Sequence, residues 1–226
     1  MNHDWSAKWA VYQPKHPAFK AADTGQLINY YDLDRLSNRL AHTLATEYGV
    51  KKGDRIAVLS ENCLEYVLLF VAAQKRGFIL VPLNYRLASP ELDYLLEVTA
   101  PQLLIWETQF AEKISACKQF NASSYHMTIN ALTAFCDPTR HEPEDQDGPI
   151  EIIEPDHPIF ILFTSGTTGF PKGAIYTHRM LFWNSINTSM SLLCNPDSRT
   201  VNCMPTFHTC GWNVLTTPIM HHGGYT

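Results

Sequence analysis

The stretch RIAVLSENCLEYVLLFVAAQKRGFILVPL, residues 55–83, decides the fold class. Arg55 to Leu59 is a short apolar run of strand length. Ser60 then stands where a helix cap is wanted, and Leu64, Val67, Leu68, Val71 and Ala72 recur at the three- and four-residue steps of a buried helix face. Lys75-Arg76-Gly77 ends that helix with two cations at the negative end of its dipole and a glycine suited to a left-handed residue. Ile79 to Leu83 is a second strand. Strand, helix and strand within about 30 residues form a βαβ unit, so the two strands run parallel with a right-handed crossover.

The pattern extends in both directions. Upstream, Leu33, Leu36, Leu40 and Leu44 predict a helix from Asp32 to Gly49, followed by a turn at Lys52-Gly53-Asp54. Downstream, Ser89-Pro90-Glu91 starts a helix running to about Val98, and Leu103 to Trp106 is the next strand. The class is therefore α/β, with βαβ units forming a parallel or mixed sheet flanked by helices. No fixed-period repeat interrupts it.

Composition narrows the function. Of 226 residues, 45% are hydrophobic and 17% charged, which is globular rather than disordered. The net charge of −5 argues against a general nucleic-acid binder. The acidity is local. Eight carboxylates and one base, Arg140, fall between Asp137 and Asp156, so that segment carries −7 and the rest of the chain +2. The same segment holds Pro138, Pro143, Pro149 and Pro155; it reads as a solvated loop and a candidate subdomain boundary. The polar N-terminus gives no signal peptide, and the longest apolar run, Tyr66 to Ala73, is too short to span a membrane. The expected location is cytoplasmic. The six scattered cysteines are expected reduced and mostly buried, and the Cys203, His208, Cys210, His221 and His222 group lacks the paired spacing of a zinc site.

The chemistry gathers after the strand Ile159 to Phe163. Thr164-Ser165-Gly166-Thr167-Thr168-Gly169-Phe170-Pro171-Lys172-Gly173 packs four hydroxyls, three glycines and a lysine into ten residues. Glycines admit close approach, hydroxyls and N–H groups donate to phosphate oxygens, and lysine adds a mobile charge. Phosphate uses all three. A polar hairpin loop is the plain alternative. A Walker P-loop is not, because Pro171 precedes Lys172 and Gly173 follows it; a simple NTPase is disfavoured for the same reason. The loop should connect to a strand at Ala174–Thr177, with a helix from about His178 to Leu193.

A second motif, Met204-Pro205-Thr206-Phe207-His208-Thr209-Cys210-Gly211-Trp212, follows an expected strand, Thr200 to Met204. By residue chemistry alone it is at most a pocket wall, and a lone histidine is more often structural.

Phe163 to Gly173 resembles the phosphate-loop signature of the adenylate-forming superfamily, which includes acyl-CoA synthetases, peptide-synthetase adenylation domains and firefly-type luciferases. The likeness extends to Leu27–Ala41 and to Gly53–Asn84, and so along most of the chain. It implies the N-terminal part of that family's large AMP-binding domain. It also implies ATP as cofactor, with Thr164, Ser165, Gly166, Thr167, Thr168, Gly169 and Lys172 at its β- and γ-phosphates and Thr164 at Mg²⁺. Phe207, His208, Gly211 and Trp212 then match the acyl site. The resemblance implies that His208 helps to set when that site is open, and Trp212 matches a tryptophan that gates the acyl tunnel in some long-chain members, core packing being its alternative. Leu215-Thr216-Thr217-Pro218 and His222-Gly223-Gly224 look like acyl-CoA synthetases, so the implied partners are a fatty acid and coenzyme A. Lys172 and His208 are the implied catalytic residues, and Arg86 is a lesser candidate. Family members are about twice this long, and the later motifs and the mobile C-terminal domain are missing, so the chain is expected to be a fragment with little ligase activity alone. Its unfinished sheet would expose an edge strand able to self-associate. An aryl- or short-chain ligase, and a fragment that binds nucleotide or acyl chain without turnover, are the alternatives.

Overall fold

The computed structural model describes residues 4–140, 152–164 and 171–226. Helix α1 (Trp5–Tyr12) leads into an antiparallel hairpin of β1 (Pro17–Lys20) and β2 (Leu27–Asn29), then α2 (Tyr30–Thr46). The expected unit follows as β3 (Arg55–Leu59), α3 (Leu64–Arg76) and β4 (Ile79–Pro82). Then come α4 (Ser89–Thr99), β5 (Leu103–Trp106), α5 (Ala111–Ser115), β6 (Tyr125–Thr128), β7 (Pro158–Thr164), β8 (Lys172–Thr177), α6 (His178–Leu192), α7 (Thr209–Asn213) and α8 (Thr217–His221).

The main sheet has six strands in the order β6-β5-β3-β4-β7-β8. β3 to β7 pair in parallel, and β8 returns antiparallel to β7 at the edge. The strands read as unbroken apolar runs because both faces are covered. Ile56, Val58, Leu80, Leu103 and Ile105 join the core with Leu33, Leu36 and Leu40 of α2 and Leu68 and Phe70 of α3. Their neighbours Ala57, Leu59, Val81, Leu83 and Leu104 point the other way, against Leu92, Leu95 and Leu96 of α4 and Ile114 of α5. The period of two along each strand thus feeds two separate cores.

Several local expectations are corrected. Ser60 does not cap α3: the residue before that helix is Cys63, with no side-chain cap, and Ser60 Oγ donates to the Glu61 carbonyl instead. Ser89 is inside α4, not before it; Ala88 precedes the helix, and Glu91 accepts its N–H at 2.9 Å. Helix α2 ends at Thr46, and Gly49 takes its positive φ of 59° in the turn beyond. Gly77 does close α3 as a left-handed residue, φ 69°, after Lys75 and Arg76. No strand forms at 200–204: among the described residues, the nearest pairing is an isolated parallel bridge just before it, Arg199 with Tyr225. Pro205 has no N–H to offer a ladder, and Asn202 supplies the bonds that a neighbouring strand would, accepting from Met204 N at 3.0 Å and donating to Gly211 O at 2.9 Å. The cysteines are free, but only Cys117 and Cys136 are buried; Cys203 is exposed. Most of the acidic, proline-bearing stretch, 141–151, lies outside the described residues. Among the described residues no helix is long and apolar enough to cross a membrane.

Lys75 fastens α1 to this frame. Its ammonium meets Asp4 at 2.8 Å and Asp34 at 2.5 Å with the lysine side chain nearly buried, and Ser6 Oγ donates to both carboxylates.

Candidate functional site

In an open α/β sheet, loops at the carboxyl ends of the parallel strands leave a crevice, and ligands bind there. β3, β4 and β7 end in Leu59, Pro82 and Thr164, so Asn62, Asn84, Tyr85, Arg86 and Thr164 all lie at or just beyond that edge.

Thr164 is the last residue of β7 and Lys172 the first of β8, and the two are Cα partners across the antiparallel pair. Both are exposed. The strands therefore close a hairpin whose connecting segment carries the glycines and hydroxyls. Ser165, Gly166, Thr167, Thr168 and Gly169 lie outside the described residues. Among the described residues no carboxylate forms an ion pair with Lys172. Gly173 has a packing reason: a Cβ there would stand 2.9 Å from Ile161 Cγ2 and 3.4 Å from the ring of Phe163.

The second motif is brought to the same end of the sheet by a residue the sequence reading passed over. Asn62, on the loop after β3, donates from Nδ2 to Met204 O at 2.9 Å and accepts from Thr206 N at 2.9 Å through Oδ1. Phe207 is thereby buried, edge-on to Tyr85 at 4.8 Å and 88°. His208 lies outside it, exposed, with ring centroids 4.5 Å apart. The Arg86 guanidinium caps the pair, 5.8 Å from the Phe207 ring and 5.9 Å from that of Tyr85. That is within cation–π reach. Sequence proximity to Asn84 gave Arg86 only a minor role; its contact with Phe207, 121 residues away, is visible only in the fold.

Gly211 and Trp212 occupy different surroundings. A Cβ on Gly211 would meet Pro205 O at 2.6 Å, so the glycine lets α7 pack against its own entry loop. Trp212 is 0% exposed, ringed by Tyr66, Phe70 and Phe160, and its Nε1–H donates to Thr206 O at 2.7 Å. In this structure it packs as a core residue beneath the segment. His221 is a further corrective to histidine counting. Burial, with His222 and Lys8 nearby, lowers its pKa to about 3, so it stays neutral at neutral pH. It stacks on Trp5 at 4.2 Å and hydrogen-bonds Ser185 at 2.8 Å.

Chemically, the arrangement offers hydroxyl and ammonium donors at one strand end and an aromatic–imidazole wall at the next. It does not by itself offer a magnesium site. Thr164 contributes one neutral oxygen, and no group of three or more His, Cys, Asp or Glu side chains among the described residues could hold a metal. Magnesium usually takes one or two carboxylates along with substrate phosphates.

Comparison with known proteins agrees with the fold. The sequence profile of the AMP-binding enzymes matches residues 6–226. A feruloyl-CoA synthase of Amycolatopsis is 32% identical over 97% of the chain and 42% of its own length. A long-chain-fatty-acid–CoA ligase of Mycobacterium tuberculosis is 31% identical over 93% of the chain and 41% of its own. The chain thus spans about two fifths of the curated relatives it matches. Among solved structures, ATP-bound MatB from Rhodopseudomonas palustris superposes with a TM-score of 0.84 at 26% identity, covering 100% of this chain and 44% of that one. The N-terminal domain of FACL13 from Mycobacterium tuberculosis superposes with a TM-score of 0.86 at 25% identity, covering 100% of this chain and 56% of that one.

Proposed function

The chain belongs to the AMP-binding enzyme family, and on that premise we propose that it forms the phosphate- and acid-facing part of an ATP-dependent acyl-CoA synthetase. In the first step a carboxylate oxygen attacks the α-phosphorus of ATP; the bond to the bridging oxygen breaks, and pyrophosphate leaves as acyl-adenylate forms. In the second, the sulfur of coenzyme A attacks the acyl carbon and AMP departs, leaving a thioester. No general base is needed at the first step, because a carboxylic acid with a pKa near about 4 is already ionised at neutral pH. The obstacle is bringing an anion up to a polyanion, and the remedy is donors fixed around the leaving phosphates.

Thr164, Ser165, Thr167 and Thr168, with the Gly166 and Gly169 amides, are assigned to the β- and γ-phosphates, and Lys172 to their charge. Phe207 and His208 are assigned to the acid side. Gly211 and Trp212 support that wall from behind. Magnesium, when bound, would offset charge on the triphosphate; Thr164 would give it one neutral oxygen, and carboxylates elsewhere in the full-length protein would hold it. The observation that supports the reading is the register of Thr164 with Lys172: a hydroxyl and an ammonium stand opposite each other at the two ends of the glycine- and hydroxyl-rich connection, at the carboxyl edge of the sheet.

In the full-length protein, Thr164→Ala should slow acid-dependent ATP–pyrophosphate exchange about a hundredfold or more, the range for loss of one donor to developing charge, while acid affinity changes little. Equal loss of both would overturn the assignment. The acid is read as a fatty acid; an aryl carboxylic acid is the second reading, favoured by the likeness to a feruloyl-CoA synthase. A panel of fatty and aryl acids in the same exchange assay separates the two.

A further inference from the structure

We propose that Asn62 is a positioning residue for the acid side of the site: its carboxamide fixes the backbone at Met204–Thr206 and thereby sets where Phe207 and His208 stand. The inference rests on the reading of Phe207 and His208 as the acid-facing wall. Its basis is a paired contact. Nδ2 donates to Met204 O and Oδ1 accepts from Thr206 N, each at 2.9 Å, across 142 and 144 residues of sequence. The two backbone groups flank Pro205, which has no N–H, and among the described residues no strand pairs with Met204–Thr206. The carboxamide therefore does the work of a strand neighbour. An amide side chain carries a donor and an acceptor side by side, which an ionised carboxylate does not.

Geometry separates this from a packing role. Asn62 is exposed and fills no core space. The segment is also held from below, where the buried Trp212 indole donates to Thr206 O at 2.7 Å. Trp212 keeps the segment on the core, and Asn62 fixes its upper edge relative to β3. From Thr206 the chain passes directly to Phe207, wedged against Tyr85, and to the exposed His208. A shift of the Asn62 anchor is thus carried straight to both side chains.

The test compares Asn62→Ala and Asn62→Asp with wild type in the full-length protein. For Asn62→Ala the KM of the acid should rise about tenfold, the scale expected from two lost hydrogen bonds. The KM of ATP should stay within about twofold, and the melting temperature should fall by only about a few degrees, as the loss of two hydrogen bonds warrants. Asn62→Asp keeps the acceptor for Thr206 N but faces Met204 O without a donor, so its acid KM should fall between the two. A parallel rise in both KM values, or an unchanged acid KM, overturns the proposal. A second readout is independent of activity: chymotryptic cleavage after Phe207, which is buried in the wild type, should accelerate several-fold in Asn62→Ala, and an unchanged cleavage rate also overturns it. Should wild type show no acid-dependent pyrophosphate exchange, the functional reading fails, while the proteolysis still decides whether Asn62 anchors the segment.

Discussion

The β3–α3–β4 unit and the segment 199–213 meet at the same edge of the sheet, yet different forces hold them. The unit is fixed by burial: Ile56, Ala57, Val58, Leu59, Leu80 and Val81 are each 0% exposed, and alternate side chains feed two separate cores. The segment has almost no ladder. Its shape comes from individual bonds made by Asn62, Asn202, Thr216 and Trp212, together with one glycine that has no room for a side chain. Burial is collective and tolerates the loss of a single contact; a segment held bond by bond can be displaced by one substitution. A site built where the two meet has a rigid floor and an adjustable wall.

Trp212 is where the comparison can be broken most severely, because it belongs to both regions. Trp212→Ala should cost about 3–5 kcal/mol, the range for truncating a buried aromatic, and should lower the midpoint of denaturant unfolding accordingly. A loss below about 1 kcal/mol would mean that the segment is not anchored in the core.

Lys75 tests the frame on which the unit rests. Lys75→Ala removes the ammonium that Asp4 and Asp34 share and should cost about 3 kcal/mol, as when one partner of a nearly buried pair is removed. The pH dependence follows from the directions of the shifts. Burial alone would raise the Asp4 carboxyl, but the Lys75 ammonium and the Ala7 N–H hold it below its ordinary 3.8. Its contribution is thus complete above that value and is lost as pH falls through the lower folded value. Burial alone would lower Lys75, but Asp4 and Asp34 raise it above 10.5, so its contribution is complete below that value and is lost as pH rises through the higher folded one. Wild-type stability from this cluster should be flat across neutral pH and fall at both extremes. Lys75→Ala should lack the alkaline fall, as followed by thermal melts from acid to alkali.

Gly211→Ala is the smallest of these effects and the most local. Its Cβ would stand 2.6 Å from Pro205 O and 3.0 Å from Met204 O. Backbone must yield, at about 1–3 kcal/mol. Because the atoms displaced belong to the segment that carries Phe207, acid affinity should fall with stability, while thermal melting remains a single transition. A variant with full stability and weakened acid binding would instead give Gly211 a direct contact role.

How much of this was legible beforehand follows the same division. The strands at 55–59 and 103–106 and the end of α3 at Gly77 were readable to the residue, because hydrophobic period and terminal chemistry act over a few positions. The hairpin between β7 and β8 was readable from its flanking strands. The strand expected at 200–204 was not there: Pro205 and the Asn202 carboxamide turn the local backbone aside, and Asn62, some 140 residues upstream, bonds its end, a partner that no local pattern encodes. The same distance hid Asn62 and the contact of Arg86 with Phe207. It also left Trp212 open between a tunnel gate and a core residue until its neighbours Tyr66, Phe70 and Phe160 were in place.

By itself, the sequence determined the α/β class and the parallel unit around residues 55–83, and it supplied the run of hydroxyls and glycines at 164–173 on which the phosphate proposal rests. Each of these depends on residues close together in the chain: period, caps, and a cluster of hydroxyls and glycines. Only the tertiary structure decided which side chains share the carboxyl edge of the sheet. The register of Thr164 with Lys172, the anchoring of Met204–Thr206 by Asn62 and the burial of Trp212 all join elements far apart in sequence, and such contacts exist only once hydrophobic burial has brought the elements together.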